Sequence, residues 1–392
     1  MMAGDAPPRT PLRELALLFL KLGVIGFGGP AAHIAMMEDE VVRRRGWLSH
    51  EEFLDYIGAA NLIPGPNSTE IAIHIGYARA GWAGLVIAGT CFILPAAFIV
   101  TAIAWVYVRF GSLPAVASVL YGVKPVVIAV VAQALWGLGR SALKTWGLAL
   151  LGAAAVAAVY AGMNELLILA CAGAVVGIAR ASGRASARSA SVVIAPTKAA
   201  LWQAAIPTAT AGAASTVGFG LFPLFAVFLK IGAVLFGSGY VLLAFMRADL
   251  VERLHWLTER QLLDAIAVGQ ITPGPVFTTA TFVGYVLGGS AGAAVATIGI
   301  FLPAFVFVAM SGLLIPYIRR SAIARGTLDG VNVASLALMA VVTLQLARTA
   351  LVDPVTIAIG LVAAVLLLRY RLNSAWLVLG GAMVGIAASQ VR

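Results

Sequence analysis

Two lysines stand inside apolar runs at matching places in the chain, Lys21 in Phe19-Leu20-Lys21-Leu22-Gly23 and Lys230 in Phe228-Leu229-Lys230-Ile231-Gly232. An ammonium in hydrocarbon is costly unless it has a partner or a task. Shortly after each lysine the run is broken, at Gly26-Phe27-Gly28-Gly29-Pro30 and at Phe236-Gly237-Ser238-Gly239. A second break follows in each half, Pro64-Gly65-Pro66 and Pro273-Gly274-Pro275, where missing amides and a permissive glycine stop a helix. Asn67, Ser68 and Thr69, and likewise Thr278 and Thr279, are residue types that cap and restart one. A helix N-terminus carries unpaired N–H groups and about half a positive charge, so several such ends near one another form an anion site. The chemistry pointed to is binding of a small anion, with the lysines supplying charge and the helix ends geometry. Snorkelling to the interface is the competing reading of Lys21. His33, after Gly29-Pro30, is placed to ligate or titrate, or simply to pack.

The elements that position these residues belong in a membrane. Of 392 residues 61% are hydrophobic and 11% charged, against about a quarter charged in a soluble domain. A polar surface cannot be built from so few charges, so most of the exterior faces lipid. The net charge of +10 is spread in short clusters between apolar segments, as topology signals are, and not along a basic face for nucleic acid. Cys91 and Cys171 sit within apolar runs, which leaves no disulfide framework, metal site or cofactor to argue for. Residues 1–13 lack the apolar core of a cleaved secretory signal.

The chain is written twice. Apolar segments run at 14–36, 50–78, 81–109, 113–138, 144–162 and 164–180, then at 222–246, 259–287, 289–318, 322–349, 352–369 and 374–390. At an offset of 209, residues 19–66 align with 228–275 without a gap and 18 of 48 positions are identical, including both lysines, Trp47 with Trp256, Asp55 with Asp264 and the two Pro-Gly-Pro turns. Past a one-residue gap the offset is 208, pairing Gly76-Tyr77 with Gly284-Tyr285 and Gly122-Val123 with Gly330-Val331. Residues 1–180 and 200–392 therefore read as two repeats joined by 181–199, a basic, flexible, cytoplasmic linker. Basic residues fall at Arg140, Lys144 and Arg180–Lys198 in the first half but at Arg319–Arg325 and Arg369–Arg371 in the second, at non-equivalent loops. By the positive-inside rule the halves are inverted. The expected fold is an all-α polytopic membrane protein, two homologous halves forming an inverted repeat with broken or re-entrant helices, an organisation common in secondary transporters.

Each second segment opens with a capping box, Ser49 with Glu52 and Thr258 with Gln261. Its two pieces laid end to end would exceed a hydrocarbon core of about 30 Å, which favours a re-entrant hairpin over a span. Asp55 and Asp264 read as packing residues, whereas Glu70, His74, Lys124 and Asp329 read equally as functional groups or as ion-paired structural ones. Runs such as Gly288-Gly289-Ser290-Ala291-Gly292 read as close helix contacts.

Phe27-Gly28-Gly29-Pro30 with Ala32-His33, Trp47, Glu52-Phe53 and the repeated Pro-Gly-Pro together resemble the chromate ion transporter family in its two-domain form. The resemblance covers nearly the whole chain. It implies a multi-pass protein of the bacterial inner membrane that exports chromate, a tetrahedral dianion similar to sulfate, and is not an enzyme. The partners it implies are a small inorganic oxyanion and the lipid bilayer, with a homodimer as an open alternative to a monomer and no nucleic acid. Ser238 and Gly239 stand where the first half has Gly29-Pro30, and Leu242 where it has His33, so the two halves are expected to contribute unequally. A membrane potential would drive export of a dianion, at about 2.3 kcal/mol per charge per 100 mV. A passive anion channel and a carrier of another oxyanion such as sulfate remain alternatives. An intramembrane enzyme acting on a lipid or phosphate ester is disfavoured by the lack of an HExxH or paired-aspartate motif, and a nucleotide motor by the lack of a phosphate-binding loop.

Overall fold

The computed structural model describes residues 10–27, 29–111, 113–185, 218–236, 239–370, 372 and 374–391. Among them are fourteen α-helices and no strand. The first half contains α1 (Leu12–Ile25), α2 (Gly29–Glu38) running into a π-helical turn Asp39–Arg44, α3 (His50–Ala60), α4 (Asn67–Phe110), α5 (Pro114–Ala142), α6 (Trp146–Tyr160) and α7 (Glu165–Ala185). The second contains α8 (Leu221–Val234), a 3-10 turn Gly239–Val241, α9 (Leu242–Met246), a π-helical turn Arg247–Arg253, α10 (Glu259–Ile271), a 3-10 turn Val276–Thr278, α11 (Thr279–Arg320), α12 (Ala322–Ala350), α13 (Pro354–Tyr370) and α14 (Ser374–Val391). Five helical stretches are long and apolar enough to cross a membrane, in α4, α5, α7, α11 and α12, with shorter apolar helices beside them. Most of 181–199 lies outside the described residues, while α7 continues to Ala185.

The run 14–36, read from sequence as one interrupted segment, doubles back instead. Lys21 Nζ lies 2.6 Å from Glu40 and Arg45 Nη1 2.5 Å from Glu14, so α2 and its π turn return alongside α1. An ion pair between Lys230 and Asp249 closes the same hairpin in the second half. The physical reason is visible in the partners: Glu40 and Asp249 are equivalent at the offset of 209, and each draws its hairpin's lysine across.

The next segment is also a hairpin, as its length requires. Both capping boxes form. After the Pro-Gly-Pro turn the chain reverses, so that Tyr56 of α3 stacks on His74 of α4 at 5.4 Å and 6°. In the second half Gly269 of α10 lies against Thr279. The restarting helices are not capped as the sequence suggested. Pro66 is the N-cap of α4 and no side chain bonds there, while Thr278 and Thr279 donate to Pro275 O and Val276 O, both at 2.8 Å. Threonine hydroxyls inside a first turn reach back to a nearby carbonyl more readily than forward to an amide.

A further reversal lies inside α4 and again inside α11. Gly81 (φ 62°, ψ −145°) and Gly289 (φ 61°, ψ −152°) hold a conformation open essentially to glycine alone. The arms 67–79 and 82–110 fold together with Gly76 against Gly84, and Gly284 against Gly292 repeats the contact. Gly289 is thus a turn residue, while Gly292 makes the close contact expected of that run.

The remaining helices interlock the halves. Gly152 of α6 packs on Val333 of α12, and its equivalent Gly360 of α13 packs on Pro125 of α5. Gly330 of α12 meets Ala172 and Gly173 of α7, as Gly122 of α5 meets Gly381 and Gly385 of α14. Small residues let these backbones approach closely where lipid provides no hydrophobic drive between helices. Gly177 meets Ile323 where Gly173 meets Val331, so α7 and α12 run antiparallel. The outward faces are apolar, with Trp82, Phe98, Leu150, Leu361 and Trp376 exposed.

Candidate functional site

Four hairpin tips meet, two from each half, and the backbone ties them crosswise. Gly65 N donates to Leu235 O and Gly274 N donates to Gly26 O, both at 2.8 Å. These bonds are equivalent at the offset of 209: the Pro-Gly-Pro turn of each half holds the break at the end of the other half's first helix. Gly65 (φ 141°) and Gly274 (φ 90°) adopt angles that disfavour a side chain.

Between the tips is a cavity of about 170 Å³. Pro30 and Ile34 line it from the first tip, Pro66, Asn67 and Ser68 from the second, and Gly239 from the third. Pro275, Val276 and Phe277 come from the fourth, and Leu138 of α5 completes the wall. The starts of α2 and α4 and the 3-10 turns at Gly239 and Val276 all lie here, so helical N-termini of both halves surround one space. Backbone donors in that arrangement suit a small anion.

Of the residues singled out from sequence, the structure thus brings Pro30, Pro66, Asn67, Ser68, Gly239 and Pro275 to one cavity. Gly29 (φ 77°) opens α2 beside them. His33 is buried one turn further on. Its Nε2 is 2.9 Å from Gly26 O, and since a carbonyl only accepts, Nε2 carries the proton and Nδ1 faces Ser68 Oγ at 3.4 Å. Pro64, Gly65, Thr69, Pro273, Gly274, Thr278 and Thr279 are buried within the turns and first helical turns behind the wall. Gly28, Gly237 and Ser238 lie outside the described residues.

Lys21 and Lys230 are not among the residues lining the cavity. Each is engaged by its hairpin's carboxylate, and Arg44 and Arg253 join the same two acids at 3.5 and 2.9 Å. The Lys21 ammonium, hydrogen-bonded to Glu40, holds that carboxyl below the usual carboxylate range although burial opposes it. Sequence reasoning missed both acids because Glu40 and Asp249 differ in type and so escape a count of identities. Comparing charge at aligned positions would have found them.

A second pair crosses between the halves. Lys124 Nζ of α5 lies 2.7 Å from Asp264 Oδ1 of α10, and Tyr107 Oη donates to Oδ2 at 2.8 Å. Leu262 to Gln270 of α10 are buried. The equivalent positions differ: Asn332 stands for Lys124, Asp55 and Leu54 are exposed on α3, and Asn61 is exposed where Gln270 is buried. On that side a wider cavity of about 330 Å³ runs past Asn61, Asn332, Ser335 and Phe236 to exposed Ser141 and Lys144, and it shares Leu138 with the tip cavity. The body of α10 is thus packed against the rest of the protein, whereas past the end of α3, at Asn61, the wider cavity runs between α5 and α12 toward the tips. Asp329, at the rim, is held by Arg180 at 2.6 Å.

Comparison with known proteins places these features in a wider set. The family model described as "Chromate transporter" matches residues 13–178 and again 222–386, one match per half. The chain is 33% identical over 389 residues to a chromate transport protein of Cupriavidus metallidurans, covering 97% of this chain and 94% of the relative. It is 32% identical over 392 residues to a chromate transport protein of Pseudomonas aeruginosa, covering 97% and 93%. A probable chromate transport protein of Synechococcus elongatus is 33% identical over 368 residues, covering 91% and 90%. No solved structure matches the chain significantly.

Proposed function

The chain belongs to the chromate transporter family, whose members are transporters and not enzymes, and from that membership we propose that it exports chromate, or an oxyanion of the same shape and charge, across the inner membrane of a bacterium. The observation that carries this reading is the cavity enclosed by helical N-termini of both halves. A tetrahedral dianion would lie there with its oxygens toward backbone N–H groups and Ser68, without a metal.

Alternating access supplies the transport. The wide cavity between α5 and α12, past the end of α3, reaches Lys144, in a loop that the distribution of basic residues assigns to the cytoplasm, so the described conformation faces inward. Exchange of the roles of α3 and α10 would close that route and open the opposite one. The halves are read as inverted. In support, α5, α6 and α7 alternate in direction and α12 runs antiparallel to α7, which leaves α5 and its equivalent α12 opposed. Lys21 and Lys230 brace the hairpins that present the N-termini, and the membrane potential drives the dianion outward, about 4.6 kcal/mol per 100 mV for two charges.

The test is uptake into inverted vesicles with chromate, sulfate and phosphate compared. Saturable chromate uptake that accelerates when the lumen is made positive supports a potential-driven exporter. Uptake that is linear in concentration would replace it with a channel, and uptake indifferent to potential would remove the driving force.

A further inference from the structure

Glu70 is out of keeping with an anion site. It sits in the first turn of α4, fully buried, and neither carboxylate oxygen has a hydrogen-bond partner. One oxygen rests against Gly65, in the turn whose next residues, Pro66, Asn67 and Ser68, line the cavity. The hydroxyl of Thr69 and Nε2 of His74 are likewise buried without partners. The repeat does not require the acid: whichever side of the one-residue gap is used, Glu70 aligns with Thr278 or Thr279.

The surrounding elements bring no compensating charge. On α4 the nearest titratable group in sequence is His74, one turn on, stacked on Tyr56 of α3. From α2 comes His33, bonded to Gly26 O. α1 carries Lys21, α8 carries Lys230 and the π turns carry Glu40 and Asp249, all spent on one another. On α3, Glu51, Glu52 and Asp55 are exposed. α11, which brings Ala304 to within van der Waals reach of Gly65, has no charged residue between Thr279 and Gly312. An ionised carboxylate there would be unsolvated and would repel an oxyanion in the adjoining cavity, whereas a protonated one does neither.

We propose that Glu70 is a proton-binding site coupled to the oxyanion: it holds a proton while the cavity is occupied, and loss of that proton expels the anion. The inference rests on the oxyanion reading above. The proton comes from water in the wide cavity, forms an O–H bond to one carboxylate oxygen, and returns to water on the other side with the anion's release. One negative charge in place of two then crosses per cycle, and the potential still favours export.

Chromate binding to purified protein at about pH 5.5 and about pH 8.5 tests it, with the affinity of the wild type expected to fall about tenfold more than that of Glu70→Gln. The ligand's own protonation is common to both proteins and cancels. His74→Phe, which installs an apolar aromatic ring, should keep the wild-type difference. Binding should also take up more protons per anion in the wild type than in Glu70→Gln, up to about half a proton for a tenfold coupling, read with a pH-indicator dye in weak buffer. Equal pH profiles for wild type and Glu70→Gln would overturn the proposal, as would a flattened profile in His74→Phe. Should Glu70→Gln fail to fold, Glu70→Asp replaces it and is expected to shift the profile along the pH axis; an unshifted profile overturns the proposal. If the wild type binds no chromate at either pH, it is the oxyanion reading that fails. The proton site then stands or falls on the infrared carbonyl band of a protonated carboxyl, present in the wild type and lost in Glu70→Gln, whose absence overturns it.

Discussion

Breaking the Lys124–Asp264 pair should do more harm than deleting it altogether. The two charges lie 2.7 Å apart, with side chains 12% and 2% exposed. At that distance their Coulomb attraction is about 6 kcal/mol for an effective dielectric of about 20, and the cost of removing both from water cancels much of it. Truncating one partner leaves the other buried and unpaired, at a cost of about 3–5 kcal/mol. Asp264→Asn strands Lys124, and Lys124→Met leaves Asp264 with only the Tyr107 hydroxyl. The double variant Lys124→Met/Asp264→Asn strands neither charge and should return to within about 1 kcal/mol of the wild type. A double-mutant cycle by detergent-denaturant titration reads the coupling, expected at about 5 kcal/mol or more, since two single losses of about 3–5 kcal/mol give way to about 1 in the double variant. Because the pair ties α10 to α5, the single variants should also expose Gln270. In a background without Cys91 and Cys171, a cysteine at position 270 should label up to about a hundredfold faster in Asp264→Asn, the population shift that about 3 kcal/mol allows. Additive single effects, with coupling under about 0.5 kcal/mol, would refute the latch.

Other substitutions separate hairpin geometry from substrate contact. Gly81→Val should destabilise by about 1–3 kcal/mol through backbone strain alone, since no atom lies near the added Cβ; equilibrium unfolding measures it. Gly65→Ala places a methyl group against the Glu70 carboxyl at φ 141°, and transport in vesicles should collapse while the protein still inserts. Lys21→Gln, at a side chain half exposed, should cost no more than about 1 kcal/mol and leave the half-saturating chromate concentration within about twofold; a tenfold rise would return Lys21 to the binding site.

What the sequence disclosed follows from which features repeat as identities. Pro-Gly-Pro, the capping boxes, Trp47 and Trp256, and the paired glycines recur by type at a fixed offset, so the breaks, the hairpins and the two-fold organisation were legible. The fold-back of the first segment was not, because it depends on an acid that is Glu40 in one half and Asp249 in the other. Nor was the crosswise bonding of the tips, since backbone groups of Gly26, Leu235, Gly65 and Gly274 carry no side-chain signal. Lys124 stood out as an intramembrane charge and Asp264 read as a packing residue, but α5 and α10 come together only in three dimensions. The role of the lysines was illegible for a related reason: charge in an apolar run shows that a partner exists and not whether that partner is substrate or protein.

The central claim is that the oxyanion binds where the four hairpin tips meet. Structure determination with chromate bound, using the anomalous scattering of chromium, tests it most directly. The expected result is one chromium peak in the tip cavity, enclosed by Pro30, Ser68, Gly239 and Val276, with no peak at Lys21 or Lys230. A peak beside either lysine, or only at Lys144 in the outer cavity, would contradict it.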